Sequence, residues 1–167
     1  MSKTPLPDAL MQAPSMVLYM AAVSGPPQTK GSTRGFVNPR NGRVVVTNDN
    51  AKAKPWQDRM TWAMRQDAPA APLKEPMALL VRAYLKRPAT HYGSGRNRYT
   101  LKATAPARPV TKPDGDKILR LAADSGTGIW WFDDSYLVAW TVEKHYADEG
   151  QERVEALAWI LAEGRSG

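Results

Sequence analysis

The segment Met77–Leu85 narrows the possible folds most. It is rich in branched residues, follows a linker framed by Pro72 and Pro76, and ends where Lys86 and Arg87 begin a polar stretch. A continuous apolar run of strand length belongs to a strand buried on both faces in the middle of a sheet. Such a strand needs paired neighbours and a covering layer, which the rest of the chain must supply.

Candidates for those neighbours lie on both sides. Met16–Ala22 has strand composition and stops at Gly25-Pro26-Pro27, because proline cannot continue a ladder. Phe36–Val37 and Arg43–Thr47 flank a segment ending in Asn41-Gly42, a hairpin turn signal. Trp56, Met60, Ala63 and Met64 recur at helical spacing between Asn50, able to cap, and the stop at Asp67-Ala68-Pro69. A second helix is predicted from Asp114–Asp116 through Ile118, Leu119, Leu121 and Ala122 to Gly126 or Gly128. Tyr136–Tyr146 reads as a strand, and Val154–Ala162 as the last one, with a short helix at 155–162 equally open on composition. Between these elements, residues 86–113 carry no periodicity and form a long basic loop, a kind usually functional or disordered.

The expected architecture is α+β, a mixed α/β arrangement. It is a small single domain over residues 16–167, with a mixed sheet of about four to six strands packed by two main helices. Residues 1–15, with Pro5, Pro7 and Pro14, read as an extended leader.

Composition limits the chemistry. The chain has no cysteine, which excludes disulfides, thiolate nucleophiles and thiolate metal sites, and it has only His91 and His145 as imidazoles. No nucleophilic triad assembles from what remains. The apolar run Met16–Val23 is too short to span a bilayer, so a soluble intracellular protein is the simplest reading. Net charge is +7, yet residues 148–167 sum to −3, so residues 1–147 carry +10. Between Gln28 and Lys117 there are 18 Lys or Arg against 6 Asp or Glu, the asymmetry of a nucleic-acid surface, although membrane surfaces and acidic proteins attract the same charge.

Directly after the basic loop come Asp114, Asp116, Asp124, Asp133 and Asp134. Hydrolysis of DNA must stabilise charge developing on an already anionic phosphate, and a hard divalent cation held by carboxylates does this without histidine or cysteine. Asp114 and Asp116 stand about 200° apart on an ideal helix, so the pair must straddle the loop–helix junction that Pro113 favours. The same acids also suit plainer duties: a helix cap, a partner for Arg120 in the case of Asp124, and turn residues at 133–134. Residues alone leave both readings open.

Two further features have two readings as well. The glycines of His91-Tyr92-Gly93-Ser94-Gly95-Arg96-Asn97 allow close approach to phosphate or simply make a solvated loop. Trp130-Trp131-Phe132 and Trp140 are core or a base-stacking platform. His145, without an acidic partner at metal-ligand spacing, reads as structural.

Lys112-Pro113-Asp114-Gly115-Asp116-Lys117-Ile118-Leu119-Arg120, followed by Trp131-Phe132-Asp133-Asp134-Ser135, closely resembles the RusA family of Holliday junction resolvases. Lys30–Arg34, Pro88–Asn97 and the strand after Ser135 extend the likeness from about Met16 to Glu163. The resemblance implies a homodimer that cleaves four-way DNA junctions with Mg²⁺, for which Mn²⁺ can substitute. A phage or prophage source is common among such relatives. Carried over, the metal ligands fall on Asp114, Asp116 and Asp134, and the helix-borne basic residue falls on Arg120. Arg120 stands where the family commonly has lysine, so it suits charge stabilisation rather than proton donation. Gly115 stands where the family usually has an apolar residue. Asp133 is expected to support the site from the opposite side of the strand. Lys30, Arg34, Arg96, Lys112 and Lys117 are the expected DNA contacts. An endonuclease for other branched DNA, or a junction-binding protein with weakened catalysis, remain the alternatives.

Overall fold

A computed structural model describes residues 18–30, 33–48 and 50–161. The expected leader at 1–15, and the strand start at Met16, lie outside these residues.

The predicted central strand is central. β1 (Leu18–Ser24), β2 (Thr33–Val37), β3 (Val44–Asn48), β4 (Met77–Leu85), β5 (Leu137–Tyr146) and β6 (Arg153–Ile160) form a four-stranded sheet of order β1-β6-β4-β5 and a separate hairpin, β2-β3. β4 runs antiparallel to β6 and parallel to β5, so the sheet is mixed and the architecture is α+β as expected. Every residue of β4 is buried. The stretch at 153–160 is strand, not helix: its Val154, Ala156 and Ala158 alternate into the core, whereas a helix would scatter them.

Two helices cover one face of the sheet, α1 (Ala53–Arg65) and α2 (Gly115–Gly126). Trp56, Met60 and Met64 of α1 fall on one stripe at i, i+4, i+8, and Ile118, Leu121 and Ala122 of α2 on another at i, i+3, i+4. Both stripes meet Met77, Leu79, Val81 and Ala83 of β4 in one core. Asn50 sits one turn ahead of α1 instead of capping it. Its Oδ1 accepts from the Lys52 amide at 3.0 Å, and Lys52 occupies the cap position without a side-chain bond.

A parallel pair needs a long crossover. Residues 86–136 supply it, and they hold both α2 and the basic stretch. That stretch holds two single 3-10 turns, Ala89–His91 and Gly95–Asn97, but no strand or α-helix among the described residues. His91 and Lys102 join through a backbone bond of 2.9 Å, Gly93 and Thr100 through one of 3.0 Å, and the Lys102 ammonium donates to the Thr90 carbonyl at 2.8 Å. Among the described residues no helix is long and apolar enough to cross a membrane.

Candidate active site

Asp114 takes the N-cap position of α2 with extended backbone, yet its carboxylate makes no capping hydrogen bond. It pairs with Lys117 Nζ at 3.1 Å, one turn along. Asp116 lies exposed in the first helical turn, where the helix dipole favours an anion. The first acid is therefore not consumed as a cap, which was the plainer of its two readings.

Two contacts from β5 fix this turn. Lys144 Nζ donates to the Thr111 carbonyl at 2.7 Å and to the Pro113 carbonyl at 3.1 Å, holding the backbone just ahead of Asp114. A Cβ built on Gly115 would lie 3.2 Å from Val142 Cγ1. Glycine at this position lets the helix start close onto the strand.

The second acidic group is built differently from the expectation. Asp134 opens a single 3-10 turn, Asp134–Tyr136, and Asp133 is its N-cap, accepting from the Ser135 amide at 3.0 Å. β5 begins only at Leu137. Asp133 and Asp134 are thus consecutive turn residues and not opposite faces of a strand. Hydrogen bonds from the Ser135 hydroxyl and amide hold the Asp133 carboxyl below the usual aspartate range.

Asp114 and Asp116 therefore stand together at the start of α2, while Asp134 stands in the turn after the helix's other end. Among the described residues, no three His, Asp or Glu side chains are gathered into a metal-holding group. The donors on offer are carboxylate oxygens, which suit a hard divalent cation in chemistry. Magnesium in particular is usually held by one or two carboxylates with water and substrate phosphate completing its shell. The Asp114–Asp116 pair meets that smaller requirement.

The expected basic residues occupy several elements. Arg120 is exposed one turn beyond Asp116, Lys112 is exposed just before the pair, and Arg96 is exposed in a 3-10 turn, Gly95–Asn97. Lys30 runs beside α2, its amide donating to the Lys117 carbonyl at 3.3 Å, but its ammonium pairs with Asp124 at 2.5 Å. Asp124 thus takes Lys30 as partner and not Arg120. Arg34 lies in β2 opposite Thr47.

The aromatic cluster divides between its two readings. Trp130 and Trp131 are fully buried, whereas Phe132 and Trp140 are 55% and 52% exposed. His145 has an acidic partner that sequence reading missed: its Nε2 lies 3.1 Å from Glu143 Oε2, and the same oxygen accepts from Arg82 Nε at 3.1 Å. The signal was the i, i+2 spacing on a strand, which puts both side chains on one face. Lys144 was likewise missed. The same alternation turns it, with Val142, toward α2.

A family model described as Endodeoxyribonuclease RusA matches residues 25–156. A Bacillus subtilis (strain 168) protein named "Uncharacterized protein YqaN" is 30% identical over 135 residues, spanning 81% of this chain and 91% of its own length.

Proposed function

The chain belongs to the RusA endodeoxyribonuclease family, and from that premise we propose that it is a homodimeric, Mg²⁺-dependent resolvase of four-way DNA junctions. The observation that carries this reading is the pair of acids on the first turn of α2, directly at the end of the basic crossover. A two-fold dimer presents one such turn to each of two symmetric strands.

Asp114 and Asp116 would hold the cation, with Asp134 as the third acid and Asp133 bracing the turn that carries it. The bound cation would stabilise negative charge on the scissile phosphate and lower the pKa of an attacking water. This chain's own groups do the remaining work. Arg120 offers a guanidinium fork to the phosphate oxygens. Lys117 neutralises Asp114 and lies on the approach to the site. Lys30, Arg34, Arg96 and Lys112 contact the DNA backbone. Lys144 keeps the Thr111–Asp114 backbone in place, and positional errors of about 1 Å at such a site cost on the order of a hundredfold in rate.

Holding carboxylates about 5 Å apart costs about 3 kcal/mol per pair at an effective dielectric of 20. Asp116→Asn removes one of the two carboxylates offered to the cation and should lose nearly all cleavage, while stability stays within about 1 kcal/mol because relieved repulsion is opposed by the lost anion–dipole attraction. The test is nicking of a synthetic four-way junction, a fork and a linear duplex with Mg²⁺ or Mn²⁺. Full activity of Asp116→Asn overturns the assignment. Equal cutting of fork and junction replaces the junction with branched DNA in general. Salt-sensitive junction binding without cutting by the wild type identifies a binding protein.

A further inference from the structure

Beyond the carboxyl ends of the parallel pair β4 and β5, where Ala147 donates to the Leu85 carbonyl at 2.8 Å, a half-open cavity of about 640 Å³ remains outside the acidic site. Its volume is that of a small-molecule site, and its position is where open sheets with parallel strands bind ligands. Three kinds of side chain line it.

Tyr92 and Tyr99 supply aromatic surface, and Tyr99 is 77% exposed with the Arg98 guanidinium 4.8 Å from its ring centroid. Lys86 and Arg98 supply positive charge from the basic crossover, and Asp148 and Glu152 supply carboxylates from the turn between β5 and β6. Among the described residues no ion pair joins these cations to these acids across the opening. Opposite charges that line one cavity without neutralising each other leave both available to a ligand that is anionic at one end and a hydrogen-bond donor at the other.

The cavity walls are held in place. Arg87 stacks on Tyr146 at 3.8 Å and donates to the Pro106 carbonyl at 3.0 Å, tying the crossover to the end of β5. The cavity is also close to the proposed cutting site. Val142 faces Gly115, and Tyr146 is four residues further along β5, about 13 Å at strand rise. Along a duplex axis that is roughly four base steps.

We propose that this cavity receives one unstacked nucleotide of the bound DNA a few positions from the cut. Its base lies on Tyr99, its phosphate meets Lys86 and Arg98, and an exocyclic amino group donates to Asp148 or Glu152. Adenine, cytosine and guanine carry such a group and thymine does not, so the cavity selects amino-bearing bases. This rests on the chain being a DNA-binding member of its family, and it does not require cleavage.

The test places 2-aminopurine singly at each of the six nucleotides flanking the crossover of a four-way junction, and in a single-stranded oligonucleotide, with EDTA present so that nothing is cut. Expected is a severalfold rise in emission at one junction position on binding, absent in Tyr99→Ala, with about tenfold weaker binding of the oligonucleotide by that variant. Tyr99 is exposed, so the variant keeps its fold, which a thermal melt verifies. Asp148→Ala with Glu152→Ala, which removes both acceptors, should erase the preference for an amino-bearing base over thymine at that position. Emission unchanged at every position, or an equal rise in Tyr99→Ala, overturns the proposal. Failure to bind junctions refutes the proposed function alone, because the oligonucleotide arm still tests the cavity. Displacement of the 2-aminopurine oligonucleotide by free AMP at equal nucleotide concentration overturns the strand assignment in favour of a mononucleotide.

Discussion

The two ends of α2 are held by different physics. At its C-terminal end everything is aromatic and close. A Cβ on Gly126 would lie 2.4 Å from Trp131 Cζ2, Trp130 Nε1 donates to the Met64 carbonyl at 2.9 Å, and Trp131 Nε1 donates to Thr127 Oγ1 at 3.2 Å. The N-terminal end, which carries the acids, rests on β5 through Val142 and the Lys144 ammonium, and it is open to solvent. One end supplies rigidity, and on the proposed function the other supplies chemistry. An acid-bearing turn must stay exposed to reach a phosphate, so it cannot be secured by apolar burial and is secured by charge instead.

Disruption of the rigid end should have the largest effect on folding. Trp130→Ala removes a fully buried indole and leaves the Met64 carbonyl without its partner, and about 3–5 kcal/mol should be lost in urea denaturation. If the loss is under 1 kcal/mol, the aromatic lock is not what holds α2. At the other end the balance reverses. Lys144→Met should cost only about 1–2 kcal/mol, since half-buried charge-assisted bonds are partly replaced by water, yet lower junction cleavage at least tenfold by releasing the turn before Asp114. Cleavage at wild-type rate would make Lys144 structural only.

Acid should separate the ends more finely. Burial pushes the Glu143 carboxyl up, but hydrogen bonds from His145 and Arg82, with their charges, more than offset it and hold the group below its usual 4.5. Stability from this carboxylate is therefore fully present above about pH 4.5 and lost as pH falls through its lower folded value. Hydrogen exchange should show the β4 and β5 amides beside Arg82 and Glu143, on the strand that supports the acid-bearing turn, opening on acidification before those near Trp131, and Glu143→Gln should flatten that dependence. The smallest effect is Gly115→Ala. A gain of about 1 kcal/mol in helix propensity is opposed by the tight approach to Val142, so stability should stay within about 0.5 kcal/mol. A larger loss, in thermal melts, would mean that β5 cannot yield at all.

The contrast also explains what was legible in the sequence. Met77–Leu85 and the Trp56, Met60, Met64 stripe could be read because apolar periodicity reports burial directly. Strand neighbours could not, since nothing local says that β6 lies between β1 and β4. The acids at 114 and 116 were visible as a spacing, and their place at a helix start followed from Pro113. That Asp134 sits in a 3-10 turn did not follow, because Asp133 capping through Ser135 competes with strand extension over only two residues. Lys144 was invisible because its partners are backbone carbonyls, which have no sequence signature.

The strand order has a consequence for the timing of synthesis. β6 sits between β1 and β4, with Met20 paired to Leu157 and Arg82 to Glu155, so two earlier strands await one made last among those described. Contacts this distant form only after their loops close, which is slow. Until residue 160 leaves the ribosome β4 lacks one neighbour, and β5, the platform for the acid-bearing turn, is docked on half a sheet. A nascent chain therefore lacks the finished platform under that turn, and the platform is completed in one step when β6 is inserted.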